Sequence, residues 1–422
     1  LASQAIFYKD LLEKVGVEMQ IFKVGTYKSA VEPFIATEMS DANREQTSVY
    51  LNSMWNTICN DISASRNIKV ETINKLADDM TLMFDTKAAV DNGFIDELIY
   101  KDELLAKLHE LTNTPDNKKL NIIKNTQYAK VRPEMMTGED NIAIVYASGQ
   151  IIDGKGDENE IGSTTLSAAL RKARTDKKVK AIVMRVNSPG GSAVASEVIR
   201  REVELAAKEK PVIVSMGNYA ASGGYWISST ADYIFADPNT LTGSIGVFGT
   251  IPNFKGFLND KIGLTFDEVK TNKNADFGSL SKPLTPYQMT MMQKHVTETY
   301  DNFITLVSET RDLRKTFVDS IAQGRVWSGT DALEIGLVDE LGGIDKAIAY
   351  AADKAGLSSY SIKEFPKQED PLENLFKTET QEYYTKAVMK NNLGASYKYL
   401  EAIENISRIE GIQALMPMVV VE

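Results

Sequence analysis

From Asn141 onward the chain alternates short, continuous apolar runs with amphipathic stretches. "NIAIVYA", "VKAIVMRVN" and "PVIVSM" are rich in Val and Ile and too short for helices, whereas "TTLSAALRKARTD" and "SAVASEVIRREVELAAKEK" place apolar residues at helical spacing. Strands apolar on both faces and separated by helices predict an α/β layered domain with a buried sheet. Two longer segments, "MSDANREQTSVYLNSMWNTICNDI" and "LTPYQMTMMQKHVTETYDNFITLV", predict long helices. The second opens on Thr285 as N-cap, with Pro286 at the first helical position and Gln288 completing a capping box. Met292, Val296, Phe303 and Val307 recur at near-helical spacing and read as core, as do Tyr50, Trp55 and Ile58. Residues 366–422 read as a polar, mostly helical extension that ends in the apolar "ALMPMVVVE".

The pattern also repeats. "FYKDLLEKVGVEMQIFKVGTYK" from Phe7 resembles "NFKGFLNDKIGLTFDEVKTNKN" from Asn253, so that Phe7 meets Phe254, Gly16 meets Gly263 and Lys23 meets Lys270. A second block, "FDTKAAVDNGFIDEL" ending at Leu98, matches "WSGTDALEIGLVDEL" ending at Leu341. The expected organisation is a tandem repeat: residues 1–110 as the remainder of a first copy, 111–140 as a linker and 141–365 as the second copy. The front half of the second copy, 141 to 250, has its counterpart upstream of Leu1, so the first copy is expected to be truncated at its N-terminus. A membrane segment is expected in that upstream part.

Length and charge narrow the partners. At 422 residues the chain exceeds one ordinary core and predicts two or three domains. Hydrophobic residues at 43% and charged residues at 25% describe a folded globular protein. The net charge of −11 disfavours nucleic acid and anionic membrane surfaces. A single cysteine, Cys59, permits no internal disulfide and reads as core. The two histidines, His109 and His295, lie in polar helical stretches and offer little material for a histidine-based triad or metal site.

Three glycine-rich turns follow the strands: "RVNSPGGS", "GNYAASGGYW" and "LTGSIGVFG". Turns of this kind expose backbone N–H groups, and two together can hold a developing oxyanion. None has the lysine and spacing of a phosphate-binding loop. Ser222 in the second turn reads either as a small residue in a tight strand-to-helix turn or as a nucleophile. A nucleophile needs a base, and with histidine scarce that leaves a lysine or a carboxylate. A lysine serves when burial lowers its pKa toward neutrality. Lys28 in "VGTYKSAVEPF" has apolar and small neighbours, unlike most other lysines, although a lysine in such a stretch also reads as solvated surface. The repeat places Lys28 opposite Ala275, so the earlier copy holds the candidate lysine and the later copy the candidate serine.

Taken together, "VGTYKSAVEPF", "RVNSPGGS", "AASGGYWIS" and "LTGSIGVFG" resemble the long form of signal peptide peptidase A, the protease IV family of the Clp protease/crotonase superfamily. The resemblance covers nearly all of the chain to about residue 365. It implies tandem crotonase-like domains with helical arms, Ser222 as nucleophile and Lys28 as general base. By the same resemblance Gly191 and Gly223 are the oxyanion donors, and Ser244 orients the lysine. No metal or organic cofactor is implied. The expected substrates are residual signal peptides and other apolar peptides. The expected setting is a homo-oligomer, a tetramer in the long form, anchored to the bacterial cytoplasmic membrane with its catalytic part on the outer side. Two rivals from other classes are an inert scaffold of the same fold and an acyl-CoA-processing crotonase-type enzyme.

Overall fold

A computed structural model describes residues 1–128, 138–157, 159–366, 411–417 and 420–421. The linker read at 111–140 and the extension read at 366–422 therefore fall partly outside the described residues. Two compact units result, Leu1–Leu51 with Gly138–Glu422, and Asn52–Thr137. That division differs from the 1–110 and 141–365 domains expected from the repeat. The physical reason is strand pairing: Glu18–Val24 runs antiparallel to Val247–Asn253 along its whole length, from Glu18 opposite Asn253 to Val24 opposite Val247.

The larger unit is a mixed α/β fold built on two sheets. In the first, the order is Val326–Ser328, Leu241–Gly243, Val212–Ala221, Val179–Ser188, Asn141–Ser148 and Ser361–Phe365, with Tyr233–Ala236 and Glu340–Leu341 attached beside Val212–Ala221. Every pairing is parallel except that of the edge strand Val326–Ser328. Parallel strands covered by helices must be apolar on both faces, and Ile142, Ala143, Val145, Ile182, Val183 and Met184 are all buried. The helices Ser163–Thr175, Ala193–Ala207 and Ile344–Lys354 pack against this sheet.

The second sheet runs Glu18–Val24, Val247–Asn253, Ile412–Leu415, Gly190–Ser192, Gln150–Ile152 and Glu160–Gly162. The helix Pro286–Thr310 begins at the expected capping box, with Thr285 and Gln288 reciprocally bonded, and buries Met292, Val296, Phe303 and Val307. Phe303 packs on Trp226 with ring centroids 4.4 Å apart. Each such side chain taken out of water contributes about 1.5–3 kcal/mol.

The smaller unit is helical where described, with Val70–Asp78, Thr86–Asp91 and Lys101–Leu111 and a small core of Cys59, Ile68 and Ile73.

Local conformations recur at the repeat's offsets. Gly16 and Gly263 both end helical turns in the left-handed region, at φ 80° and 82°. Met80 and Gln323 share φ near 54°, and Gly93 and Gly336 share φ 78°. Thr86–Asp91 and Gly329–Glu334 are helices of equal length, capped by Asp85 and Ser328. One correspondence fails: the counterpart of Glu18–Val24, residues 265–271, is not a strand. A strand needs a ladder, and Glu18–Val24 has one in Val247–Asn253, whereas 265–271 has no paired strand among the described residues.

Candidate active site

Ser222 sits where the strand Val212–Ala221 hands over to the short helix Gly223–Ser228. Its backbone is in an unusual conformation, φ 56° and ψ −112°. Such a conformation costs on the order of 1–3 kcal/mol and persists only where the surroundings impose it. Here the Ser222 amide donates to Gly243 O at 2.8 Å, and Trp226 N donates to Ser222 O at 2.8 Å. The following glycines are demanded by space: a Cβ at Gly223 would lie 2.6 Å from Ser196 Oγ, and one at Gly224 would lie 2.7 Å from Ser188 O. The small residues thus make a tight turn, and the turn presents the Ser222 side chain.

Lys28 follows the strand Glu18–Val24 and a turn at Gly25, whose φ of 106° brings it against the Gln323 backbone. The rest of the "KSAVEPF" stretch anchors this lysine. Ser29 Oγ accepts a hydrogen bond from Gln46 Nε2 at 3.0 Å, and Gln46 Oε1 accepts from Val326 N at 3.1 Å. Val31 is buried against Phe248. Glu32 is turned away from the lysine and accepts from Ser40 Oγ and Asn43 Nδ2. Pro33 O accepts from Tyr8 N at 2.6 Å, and Phe34 stacks on the Tyr8 ring.

The two segments converge on one buried cluster. Lys28 Nζ is 2.9 Å from Ser222 Oγ and 3.1 Å from both Ser244 O and Ser244 Oγ. All three residues are completely buried. No ion pair reaches Lys28 among the described residues, and burial holds its pKa well below the ordinary lysine value of 10.5. A neutral amine has two N–H donors and one lone pair. Ser244 O can only accept, and Ser244 Oγ spends its own proton on Gly324 O at 3.3 Å. Ser244 can therefore take both protons of the neutral amine, an arrangement in which the lone pair faces Ser222 Oγ and the serine's single proton turns to the amine from Gly246 O, its alternative acceptor at 3.3 Å. A hydroxyl so placed can give up its proton to the amine.

Gly191 and Gly223 flank this cluster. Gly191, at φ 155°, lies in the strand Gly190–Ser192, and Gly223 is the residue after Ser222. The two turns abut, since a Cβ at Gly190 would lie 2.7 Å from Gly223 N.

Three contributors to the site escape sequence reasoning. Gly246 O accepts from Ser222 Oγ at 3.3 Å. Gly324, at φ 80°, packs so closely that a Cβ there would lie 2.7 Å from the Lys28 backbone and Cβ. The third is the strand Ile412–Leu415, which lies between Val247–Asn253 and Gly190–Ser192. In the sequence this strand reads as the tail of an extension, because the four residues IQAL cannot name their distant partners.

An apolar cavity of about 1100 Å³ opens in the same unit, and Lys28, Gly191, Ser222, Gly223 and Ser244 are not part of its lining. Its lining includes Val17, Val194, Val198, Trp226, Ile251 and Ile412. His295 also lines it, from the exposed side of its helix. Cys59 is a buried free cysteine, as its reading as core requires.

Comparison with known proteins gives the same direction. The sequence description of Peptidase family S49 matches residues 1–114 and 204–358. Protease 4 of Haemophilus influenzae is 43% identical over 358 residues, covering 82% of this chain and 58% of that protein. Protease 4 of Salmonella typhi is 43% identical over 380 residues, covering 88% of this chain and 60% of that protein. A putative signal peptide peptidase SppA of Enterococcus faecium is 34% identical over 197 residues, covering 46% and 57% respectively. The chain thus spans well under two thirds of the length of these relatives.

Proposed function

The chain belongs to peptidase family S49, and from that premise we propose that it is a serine endopeptidase with Ser222 as nucleophile and Lys28 as general base. The observation that carries this reading is the 2.9 Å approach of Lys28 Nζ to Ser222 Oγ inside a fully buried cluster that has no carboxylate partner among the described residues. Ser222 Oγ attacks the scissile carbonyl carbon as Lys28 Nζ takes its proton. The amides of Gly191 and Gly223 receive the oxyanion. Lys28 then passes the proton to the leaving amine, and water releases the acyl group by the reverse sequence. Each oxyanion donor is worth about 10²–10³ in rate. Ser244 holds the lysine so that its lone pair faces the serine.

Apolar peptides, residual signal peptides among them, are the proposed substrates. The cavity lined by Val194, Val198, Trp226 and Ile251 supports this, because its walls suit an apolar segment and Val194 and Trp226 follow Gly191 and Ser222 by only three and four residues. The name of the Enterococcus faecium relative, a putative signal peptide peptidase, supports the same class. The reading as two related copies draws on the matched backbone conformations at Gly16 and Gly263 and at Met80 and Gln323. A homo-oligomer, with a tetramer as the family precedent, belongs to the proposal: residues 265–271 expose Phe266 and Val269, and a second copy can supply the strand they lack. Placement at the outer face of the bacterial cytoplasmic membrane follows from the resemblance alone.

No carboxylate hydrogen-bonds Ser222 or Lys28 among the described residues, which favours peptide hydrolysis over acyl-CoA chemistry. Purified Ser222→Ala and Lys28→Ala proteins are each expected to lose cleavage of an apolar peptide while keeping the native circular dichroism. Retained cleavage in either variant removes the assignment.

A further inference from the structure

Lys28 stands at the apex of a three-residue turn. Its backbone, at φ −75° and ψ 75°, is close to the inverse γ conformation, and Ser29 N donates to Tyr27 O at 2.8 Å across it. One side-chain amide spans that turn. Gln46 Nε2 donates to Tyr27 O and to Ser29 Oγ, each at 3.0 Å, so it holds the residue on either side of the lysine. Its Oε1 accepts from Val326 N at 3.1 Å. Val326 pairs with Gly243, the residue before Ser244, and Arg325 O accepts from Ser244 N at 2.7 Å. A single buried glutamine therefore ties the lysine turn to the strand that seats Ser244.

Reversing the Gln46 amide is unfavourable, because it aims Oε1 at Tyr27 O and Nε2 at Val326 N. What fixes the orientation is a carboxylate. Glu32 is buried, and its carboxylate takes bonds from Ser40 Oγ at 2.5 Å, Ser40 N at 3.3 Å and Asn43 Nδ2 at 2.9 Å. A carboxylate only accepts, so it can face only the donor end of Asn43. With Nδ2 committed in this way, Asn43 turns Oδ1 to Gln46 Nε2 at 3.2 Å. Asn43 and Gln46 are one turn apart on the helix Asp41–Arg66. Buried polar groups that satisfy one another fix a single arrangement. Two other charged groups flank the turn, and they pair with each other: Arg325 with Glu45 at 3.1 Å, with Tyr27 Oη bonded to both.

We propose that Glu32 is a positioning residue for the peptidase reaction, acting through Asn43 and Gln46 to hold the Lys28 turn against Ser222 and Ser244. The proposal rests on the peptidase reading above. The three residues act through the Lys28 backbone, while the amine itself bonds to Ser222 and Ser244. Loss of the carboxylate frees Asn43 to turn over, Gln46 follows, and the turn loosens. The amine then spends less time in line with Ser222 Oγ and more in contact with water, which restores part of its ordinary basicity.

Cleavage of an apolar peptide and fluorophosphonate modification of Ser222 across pH test this. Wild type, Glu32→Gln, Asn43→Ala and Gln46→Met are compared, each below its own urea and thermal unfolding midpoint. Glu32→Gln keeps the shape of the side chain and replaces one acceptor by a donor. It is expected to lower kcat by about 10–10² with little change in KM, the scale of a small misplacement of a catalytic group. The midpoint of Ser222 modification should move to higher pH. Gln46→Met removes the amide, and on that background Glu32→Gln should cost less than about twofold more in kcat, because members of one network are not additive. The cycle of Glu32→Gln with Asn43→Ala reads the same coupling if Gln46→Met does not fold. A Glu32→Gln protein with wild-type kcat and midpoint, or losses that multiply in the double variants, overturns the role and leaves the peptidase reading standing. A wild-type chain that neither cleaves the peptide nor reacts at Ser222 overturns both.

Discussion

Lys28 and Ser222 are 194 residues apart in sequence and 2.9 Å apart in space, with no water-exposed surface on either. Burial disfavours the ammonium, so the folded protein binds a proton at Lys28 less readily than the unfolded chain does. In the pH window between the two pKa values the unfolded state holds the extra proton, and stability rises with pH at about 1.4 kcal/mol per unit. The contribution is complete above the ordinary lysine value and is lost as pH falls toward the depressed one. A Lys28→Met variant has no such group. The stability of wild type relative to Lys28→Met is therefore expected to increase with pH up to the ordinary lysine range, as measured by urea unfolding at a series of pH values.

Ser244 acts through the lysine. Its hydroxyl accepts an amine proton, and an acceptor favours the charged amine more than the neutral one. Ser244→Ala is expected to lower kcat by about 10–10² through lost orientation. The acidic limb of the kcat/KM profile should also move to lower pH, a shift that damage to the fold alone does not produce.

Gly324 is the spacer that lets Lys28 reach the serine. Alanine there meets the Lys28 backbone at 2.7 Å in a left-handed conformation that disfavours a side chain. Gly324→Ala should cost about 1–3 kcal/mol in thermal or denaturant melts. Turnover should fall by more than the stability loss accounts for, because the amine is pushed off line.

The cavity makes a different kind of prediction. Val194 lines it and is exposed, so Val194→Lys leaves the core untouched. Placing a charge where an apolar side chain packs should raise KM for apolar peptides about tenfold, the worth of roughly one buried valine. Modification of Ser222 by a small fluorophosphonate should proceed at the wild-type rate.

Much of this fold is legible locally. The Val/Ile runs at Asn141–Ser148 and Val179–Ser188 announce buried strands, and Thr285, Pro286 and Gln288 announce a helix start, because each signal lies within a few residues of its effect. Ser222, Lys28 and Ser244 stand out through residue type and a family resemblance, and the fold brings all three within hydrogen-bond distance. Pairing across the chain is not written locally. Nothing in "GIQALMP" says that it will lie beside Gly191, and nothing in "DEVKT" distinguishes it from "MQIFKV" until the ladder partner is known. The same limit hid Gly324, whose role is defined only by a lysine almost three hundred residues earlier.

The central claim is that an uncharged Lys28 activates Ser222. The most direct measurement is the second-order rate of Ser222 modification by a fluorophosphonate as a function of pH, read by intact mass for wild type and Lys28→Met. The account predicts a wild-type rate that rises through a single midpoint well below the ordinary lysine range, and a Lys28→Met rate at background throughout. A Lys28→Met protein modified as fast as wild type, or a wild-type rate that does not change with pH, contradicts it.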